Sequence, residues 1–270
     1  MNRDLRIVDV HAHVLPGLDD GPPGLAEAVR MCELYCAEGV ATVVATPHFS
    51  DPRFPVTPDG VRTAVRRLAE ACRDRCVKLE ILPGAEVRLR PELIEDLDAD
   101  RLLTLADGGR YVMIELPPFA APRIEGLAEL LDQRGLTPII SHAERNGELC
   151  RKPQRVAQLV QAGFLVQVTG ASVTGGFGRG ARRAAETLVK SGLAHVIASD
   201  AHAPTGLRAP SFGPVLERLV AWVGSDEARA LVSDRPAMLV GKDPSATQSR
   251  AAGAAAGTTA PPAETRRHRH

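Results

Sequence analysis

The sequence predicts an α/β chain whose parallel strands close, or nearly close, into a TIM-like barrel, and three features predict it. Seven near-continuous apolar runs alternate with amphipathic helical stretches, glycines stand where the helices should stop, and ionisable side chains collect at the C-terminal ends of the runs. Apolar strands alternating with helices imply a parallel sheet covered on both faces. At 270 residues and 44% hydrophobic, the chain can bury one large core, and length alone suits one barrel or two smaller domains. Seven strand units within residues 1–242 favour a single barrel over an open doubly wound sheet.

In order, the strand runs are "LRIVDVHAH" (5–13), "VATVVATPH" (40–48), "LEILPGAEVRL" (79–89), "YVMIELPP" (111–118), "TPIISHAE" (137–144), "FLVQVTGAS" (164–172) and "HVIASDAH" (195–202). Helical spacing is read between them over 25–39, 58–75, 123–135, 153–163 and 180–192. Gly39, Gly135, Gly163 and Gly192 each end such a stretch, where the chain must leave the helix. From residue 243, "DPSATQSRAAGAAAGTTAPPAETRRHRH" offers almost nothing large to bury, so 243–270 reads as a disordered tail.

Acidic and basic residues balance at 33 each, which excludes an overall electrostatic footprint for nucleic acid. No run approaches the ~18 apolar residues of a membrane span. The start, "MNRDLRIVDV", lacks the apolar core of a signal peptide, so a cytoplasmic protein without membrane insertion is expected. Nothing opposes a homo-oligomer. Five cysteines, an odd number, argue against a disulfide framework. Cys32 with Cys36, and Cys72 with Cys76, share helix faces and read as small buried hydrophobes rather than as thiolate ligands.

His11 and His13, two apart in an extended strand, put both imidazoles on one face. His48 ends the second run, Glu86 falls late in the third, Glu115 ends the fourth, His142 ends the fifth, and Asp200 with His202 ends the seventh. In a parallel barrel these ends form one rim, where active sites are built. Eight nitrogen and oxygen donors exceed the needs of one ion, and carboxylates mixed with imidazoles suit two or three Zn, Mn or Fe ions. Taken singly, His48 would be a hydrogen-bonded loop histidine and Glu115 a paired buried acid. Taken together, five of the six histidines outside the tail fall on the rim. His195, at the opposite end of its strand, is read as structural, and Asp9 as facing away from the histidine pair in a supporting or core role. One of Asp19 and Asp20 is expected among the ligands, and "DDG" is also ordinary turn chemistry.

The runs "DVHAHVLPGLDDGP", "EGVATVVATPHF", "GAEV", "IELP", "ISHAERN" and "VIASDAH" together resemble the PHP (polymerase and histidinol phosphatase) superfamily. Within it the match is to the bacterial manganese-dependent tyrosine-protein phosphatases of the CpsB/CapC/YwqE type, over about residues 5–240. That resemblance implies a distorted (β/α)7 barrel, a trinuclear centre with Mn²⁺ as its ion and Fe or Zn as alternatives, and a tyrosine-phosphorylated polysaccharide co-polymerase kinase as substrate. It makes His11, His13, His48, Glu86, Glu115, His142, Asp200 and His202 metal ligands, with an aspartate of the DDG turn joining them. We place Asp19 there, and Asp20 with Arg145 and Arg208 among the catalytic groups. The chain departs from the pattern at Ala143, where proline or a bulkier residue is frequent, at Asn146, where some members have tyrosine, and in a His202 to Arg208 spacing one longer than in some relatives. These differences bear on the substrate side and leave the metal ligands untouched.

Phosphomonoester hydrolysis needs an activated water, neutralised phosphoryl oxygens and a stabilised leaving oxygen. Glu86 is the expected bridging carboxylate, and guanidinium forks at Arg145 and Arg208 suit phosphate. The plain alternative for Arg145 is a surface arginine tethered to Glu148. A cysteine nucleophile is excluded, because Cys150 has no arginine six positions on. An amidohydrolase with a carbamylated lysine is disfavoured, since none of the four lysines ends a strand. A small-molecule phosphatase of the histidinol phosphate kind is the nearer rival, and a degenerate binding barrel would have lost ligands that are all present.

Overall fold

The computed structural model describes residues 5–242, so the tail expected from 243 lies outside the described residues. Nine short strands and nine α-helices are described. They are β1 (Ile7–Ala12), α1 (Leu25–Ala37), β2 (Val40–Ala45), β3 (His48–Phe49), α2 (Pro58–Asp74), β4 (Glu80–Pro83), β5 (Glu86–Arg88), α3 (Leu93–Asp98), β6 (Tyr111–Glu115), α4 (Glu125–Asp132), β7 (Thr137–Ile140), α5 (Pro153–Gln161), β8 (Leu165–Thr169), α6 (Gly170–Thr174), α7 (Gly178–Lys190), β9 (Val196–Ala198), α8 (Gly213–Arg229) and α9 (Arg235–Leu239). Every strand pair is parallel, in the orders β1-β2-β4 and β3-β5-β6-β7-β8-β9.

The sheet curls until its first strand meets the chain that follows its last. Ala12 bridges Ala201, the Asp200 amide donates to the His11 carbonyl at 2.9 Å, and the His13 amide donates to the Ala201 carbonyl at 2.9 Å. Inside the curl, Val8, Val10, Val44, Met113, Ile139, Val196 and Ala198 pack as one apolar cluster, and the outer face carries the larger core shared with the helices. This curled parallel sheet with helices outside agrees with the predicted class.

All seven expected runs contain strands, but the second and third each break in two. Pro47 interrupts the second run, where a residue without an N–H cannot continue the ladder. Its carbonyl instead accepts the Glu86 amide at 3.1 Å, so the broken ends pair again as β3 and β5. At Gly84 an added Cβ would sit 2.8 Å from the Val44 side chain, so the third run bends where only glycine lets it press against β2.

One irregularity positions the site. Between Asp9 and Ala12 the strand advances three residues while its partner advances two, from Val43 to Ala45, which is a β-bulge. The extra residue lets Asp9 face the helices, where it accepts from the His11 and Ser199 amides and the Ser199 hydroxyl, while His11 and His13 face inward. Strict alternation would have put all three on one side.

The five helices read from spacing are all present, four of them one to five residues shorter and α7 two residues earlier, and Gly39 and Gly163 leave theirs with φ of +82° and +101°. The long helix α8 was not among them. Proline sits in its first turn, and Gly224, with φ +83°, breaks its regular course. Its N-terminus is capped from a distance: the Glu38 carboxylate accepts from the Phe212 amide at 2.7 Å and the Gly213 amide at 2.9 Å. A carboxylate there satisfies free N–H groups and meets the positive end of the helix dipole.

Candidate metal centre

The bulge brings His11 and His13 to the mouth of the curl, where their Nε2 atoms stand 3.3 Å apart. Glu86 lies beneath both, with His11 Nε2 3.5 Å from Oε1 and His13 Nε2 3.6 Å from Oε2. Asp200 Oδ1 is 3.5 Å from each of the two histidines. His142 Nε2 approaches Glu86 Oε1 at 2.9 Å and Glu115 Oε1 at 3.9 Å, and His48 Nδ1 approaches Glu86 Oε2 at 3.0 Å. Asp20 Oδ1 lies between His48 Nε2 at 3.4 Å and His202 Nε2 at 3.2 Å.

These separations are those of ligand atoms around a shared cation. Ligands about 2.1 Å from a tetrahedral ion are about 3.4 Å from each other. Three groups have donor atoms all within 4.8 Å of one another: His13, Asp20, His48 and His202; His11, His13 and Asp200; and His48, Glu86 and Glu115. His13 and His48 each belong to two groups, so the groups form one continuous cluster.

The hydrogen bonds point the same way. His11 Nδ1 faces Gln167 Oε1 at 3.1 Å, His13 Nδ1 faces Asp19 Oδ2 at 2.6 Å, and His202 Nδ1 faces the Asp200 carbonyl at 3.0 Å. An acceptor at Nδ1 assigns the proton there and leaves the Nε2 lone pair free, aimed into the cluster. Neither oxygen of the fully buried Glu86 receives a well-aligned hydrogen bond, nor does His202 Nε2 make one. Buried acceptors converging with no hydrogen between them are unfavourable unless a cation joins them, so the residues present fit a group of divalent ions.

Electrostatics make the same demand. Burial pushes the Glu86 carboxyl up, but the charges of His11 and His142 overcome it and hold it well below the usual range. Burial pushes His11 down, and the charges of Glu86 and Asp200 reverse this and raise it to about 9. His13 is pushed down to about 4, first by burial and then by the charge of His202. Burial and the neighbouring Glu86 charge raise Glu115. Without cations, protons must do the neutralising.

The chain is strained at two of these positions, with φ of +31° at His142 and +52° at Asp200. Such conformations cost on the order of 1–3 kcal/mol each in a residue with a side chain, and surrounding bonds must hold them. Gln167 does so for His142, its Oε1 accepting the His142 amide at 2.7 Å as well as His11 Nδ1.

The two acids of the DDG turn are placed differently. Asp19 lies outside the donor groups, its oxygens taken by His13 and by the Gly21 and His48 amides at 3.0 and 3.1 Å, whereas Asp20 lies within one. The turn geometry that sends one carboxylate inward is not written in two adjacent aspartates. Arg145 and Arg208 both reach Asp200: Arg145 Nη1 bonds Oδ2, and Arg208 Nη2 lies 3.2 and 3.3 Å from the two oxygens. Arg145 also lies over the Phe177 ring, 4.3 Å from its centre. Glu148 is not its partner, being bonded to the Ala121 amide and Lys152. His195 accepts the Val166 amide through Nδ1, in keeping with a structural role.

Sequence reasoning missed Gln167 and Glu144. Gln167 is a lone amide within the apolar run "FLVQVTG", a signal that could have been followed. Glu144 is fully buried and ties the loop carrying His142 and Arg145 to the Ser172 hydroxyl at 2.6 Å and the Thr169 amide at 3.1 Å. Beside the strand-end histidine it looked like any polar loop residue.

The family model described as capsular polysaccharide synthesis, CpsB/CapC, matches residues 7–241. The chain belongs to this family. The chain is 36% identical over 197 residues to the tyrosine-protein phosphatase YwqE of Bacillus subtilis, covering 73% of this chain and 77% of that one. Its structure is similar, with a TM-score of 0.83 and 32% identity, to one described among crystal structures of YwqE from Bacillus subtilis and CpsB from Streptococcus pneumoniae, unique metal-dependent tyrosine phosphatases; the match covers 87% of this chain and 95% of that one. A dihydropyrimidinase from Brevibacillus agri shares the fold alone, at TM-score 0.55 and 10% identity over 88% of this chain and 71% of the other.

Proposed function

We propose that this CpsB/CapC family member is a metal-dependent protein-tyrosine phosphatase, with residues 1–242 as its (β/α)7 catalytic unit. It acts in the cytoplasm on a tyrosine-phosphorylated kinase of capsule or exopolysaccharide synthesis, with Mn²⁺ as its ion. The observation that carries this reading is the convergence of His11, His13, Asp20, His48, Glu86, Glu115, His142, Asp200 and His202 at one mouth, with Glu86 buried and bare of aligned hydrogen bonds. The relatives' names supply the substrate class.

Divalent ions, when bound, supply the charge that neutralises a phosphoryl group and the means of making water nucleophilic at neutral pH. The protein's own residues do the rest. Four carboxylates, Asp20, Glu86, Glu115 and Asp200, face two guanidinium groups, and without cations the remaining negative charge is met by protons on imidazoles such as His11. Divalent ions held there would replace those protons and leave the mouth positive towards a phosphate dianion. Glu86, with imidazoles near both oxygens, would be among the residues that hold the ions, and Asp19 and Gln167 keep His13 and His11 aimed. Arg145 and Arg208 rest on Asp200 and present planar forks at the entrance, where a bidentate contact with phosphate exchanges one anionic partner for another. Hydrolysis splits the phosphate ester with water into phosphate and free tyrosine hydroxyl. The phenol, with a pKa near 10, leaves more readily than the alkoxide of serine.

Chelation tests this reading. Verified removal of metal should abolish hydrolysis of a phosphotyrosine peptide, and Mn²⁺ should restore it. Full activity in metal-free protein would overturn the mechanism. A kcat/KM for histidinol phosphate well above that for phosphotyrosine peptides would overturn the substrate assignment.

A further inference from the structure

Aromatic residues make up only 3% of this chain, and its six phenylalanines divide sharply by position. Phe49, Phe164 and Phe212 are essentially fully buried. Phe54, Phe119 and Phe177 instead sit on segments that follow the C-terminal ends of β3, β6 and β8, around the mouth of the donor cluster. Phe177 supports Arg145. Phe54 lies parallel to the imidazole of His48, with ring centres 5.9 Å apart and planes 9° apart, and the Arg53 guanidinium stands 5.0 Å from its centre. Phe119 is 87% exposed.

That exposure is enforced. Asn146 Nδ2 donates to the carbonyls of Pro117 at 2.8 Å and Ala120 at 3.0 Å, the Gly147 amide donates to the Pro118 carbonyl at 2.8 Å, and the Ala121 amide donates to Glu148 Oε2 at 3.0 Å. The backbone on both sides of Phe119 is therefore tied to residues 146–148. A Cβ at Gly147 would stand 3.3 Å from the Phe119 backbone and 3.4 Å from its ring, so glycine allows the close approach. These bonds fix Phe119 in water, where a loop without them could fold its ring away against apolar neighbours.

Its place says what it meets. Gly147 follows Arg145 by two residues, about 7 Å of chain at most. Strands β3, β5 and β6 are neighbours in that order, so the segments carrying Phe54 and Phe119 are rooted about 10 Å apart at the usual strand spacing. Aromatic rings pair at centre distances of about 4.5–7 Å, so two that flank a third stand about 9–14 Å apart. We propose that Phe54 and Phe119 are specificity-determining residues that flank the phenyl ring of phosphotyrosine while its phosphate lies at the donor cluster. This rests on the phosphatase reading above.

The test is steady-state kinetics on one peptide sequence carrying either phosphotyrosine or phosphoserine, with sedimentation run alongside. Phe119→Ala should raise KM for the phosphotyrosine peptide about three- to tenfold, keep kcat within about twofold, and leave the phosphoserine constants unchanged. Phe119→Tyr, which keeps the aryl face, should behave as the wild type does, and Phe54→Leu should show the same selective loss as Phe119→Ala. An equal loss on both peptides, an unchanged KM, or a changed oligomeric state with unchanged kinetics would overturn the proposal. A wild-type enzyme with no preference for phosphotyrosine would overturn the tyrosine assignment and this inference together, whereas a preference that survives Phe119→Ala would overturn the inference alone.

Discussion

Gln167 shows how much of a candidate metal centre lies in residues outside its donor groups. One carbonyl oxygen accepts from His11 Nδ1 and from the amide of His142, so a single side chain sets a tautomer on one strand and holds a strained backbone on another. Partners of this kind are worth about 10- to 100-fold in metal affinity. Gln167→Leu should therefore weaken Mn²⁺ binding by that amount, measured by titration calorimetry on metal-stripped protein, while Gln167→Glu, which keeps an acceptor at the same place, should retain most of it. Equal loss in both variants would show that the amide acts only by packing. Asp19 does the corresponding work for His13, which is why the DDG turn needs both of its acids.

At the scale of elements, the site is made by interruptions in otherwise regular strands. The β1 bulge separates Asp9 from His11, Pro47 ends β2 so that His48 can re-enter the sheet beside Glu86, and Gly84 lets the third run bend. Periodicity finds the strands but not these breaks, because a bulge depends on what the neighbouring strand offers. The helix α8 was unreadable for a related reason: its N-terminal cap is Glu38, far away in sequence, and not a local serine or aspartate. Glu38→Ala should remove about 1 kcal/mol and lower Tm by about 2–4 °C without altering metal affinity. An unchanged thermal transition would mean that water replaces the carboxylate at no cost.

For the whole molecule, the curl of the sheet concentrates four carboxylates at one end of an otherwise charge-balanced chain. Asp200 follows the last strand and His11 lies on the first, and the bond from the Asp200 amide to the His11 carbonyl seals the curl where the cluster straddles it. Ions bound there tie the two edges of the sheet together, so metal should stabilise the fold and not merely activate it. At a hundredfold excess over Kd, linkage gives about 2.7 kcal/mol, or roughly 5–10 °C in Tm for a protein of this size. Differential scanning calorimetry of metal-stripped protein with and without Mn²⁺ reads this directly, and identical transitions would show that the site closes without ions.

The sequence by itself determined the strand runs, the glycines that end α1 and α5, and the placing of histidines and acids at strand ends, because each is set by a repeat of two or 3.6 residues or by the conformation of one residue. Only the tertiary structure decided that Asp20 and not Asp19 lies within a donor group, that Gln167 and Glu144 brace the loops around it, that Arg145 rests on Asp200 and not on Glu148, and that Arg208 joins it there. In each of these cases the partner lies on another strand or loop, often more than twenty residues away. Which of two chemically equal side chains meets it depends on where the curled sheet brings that partner.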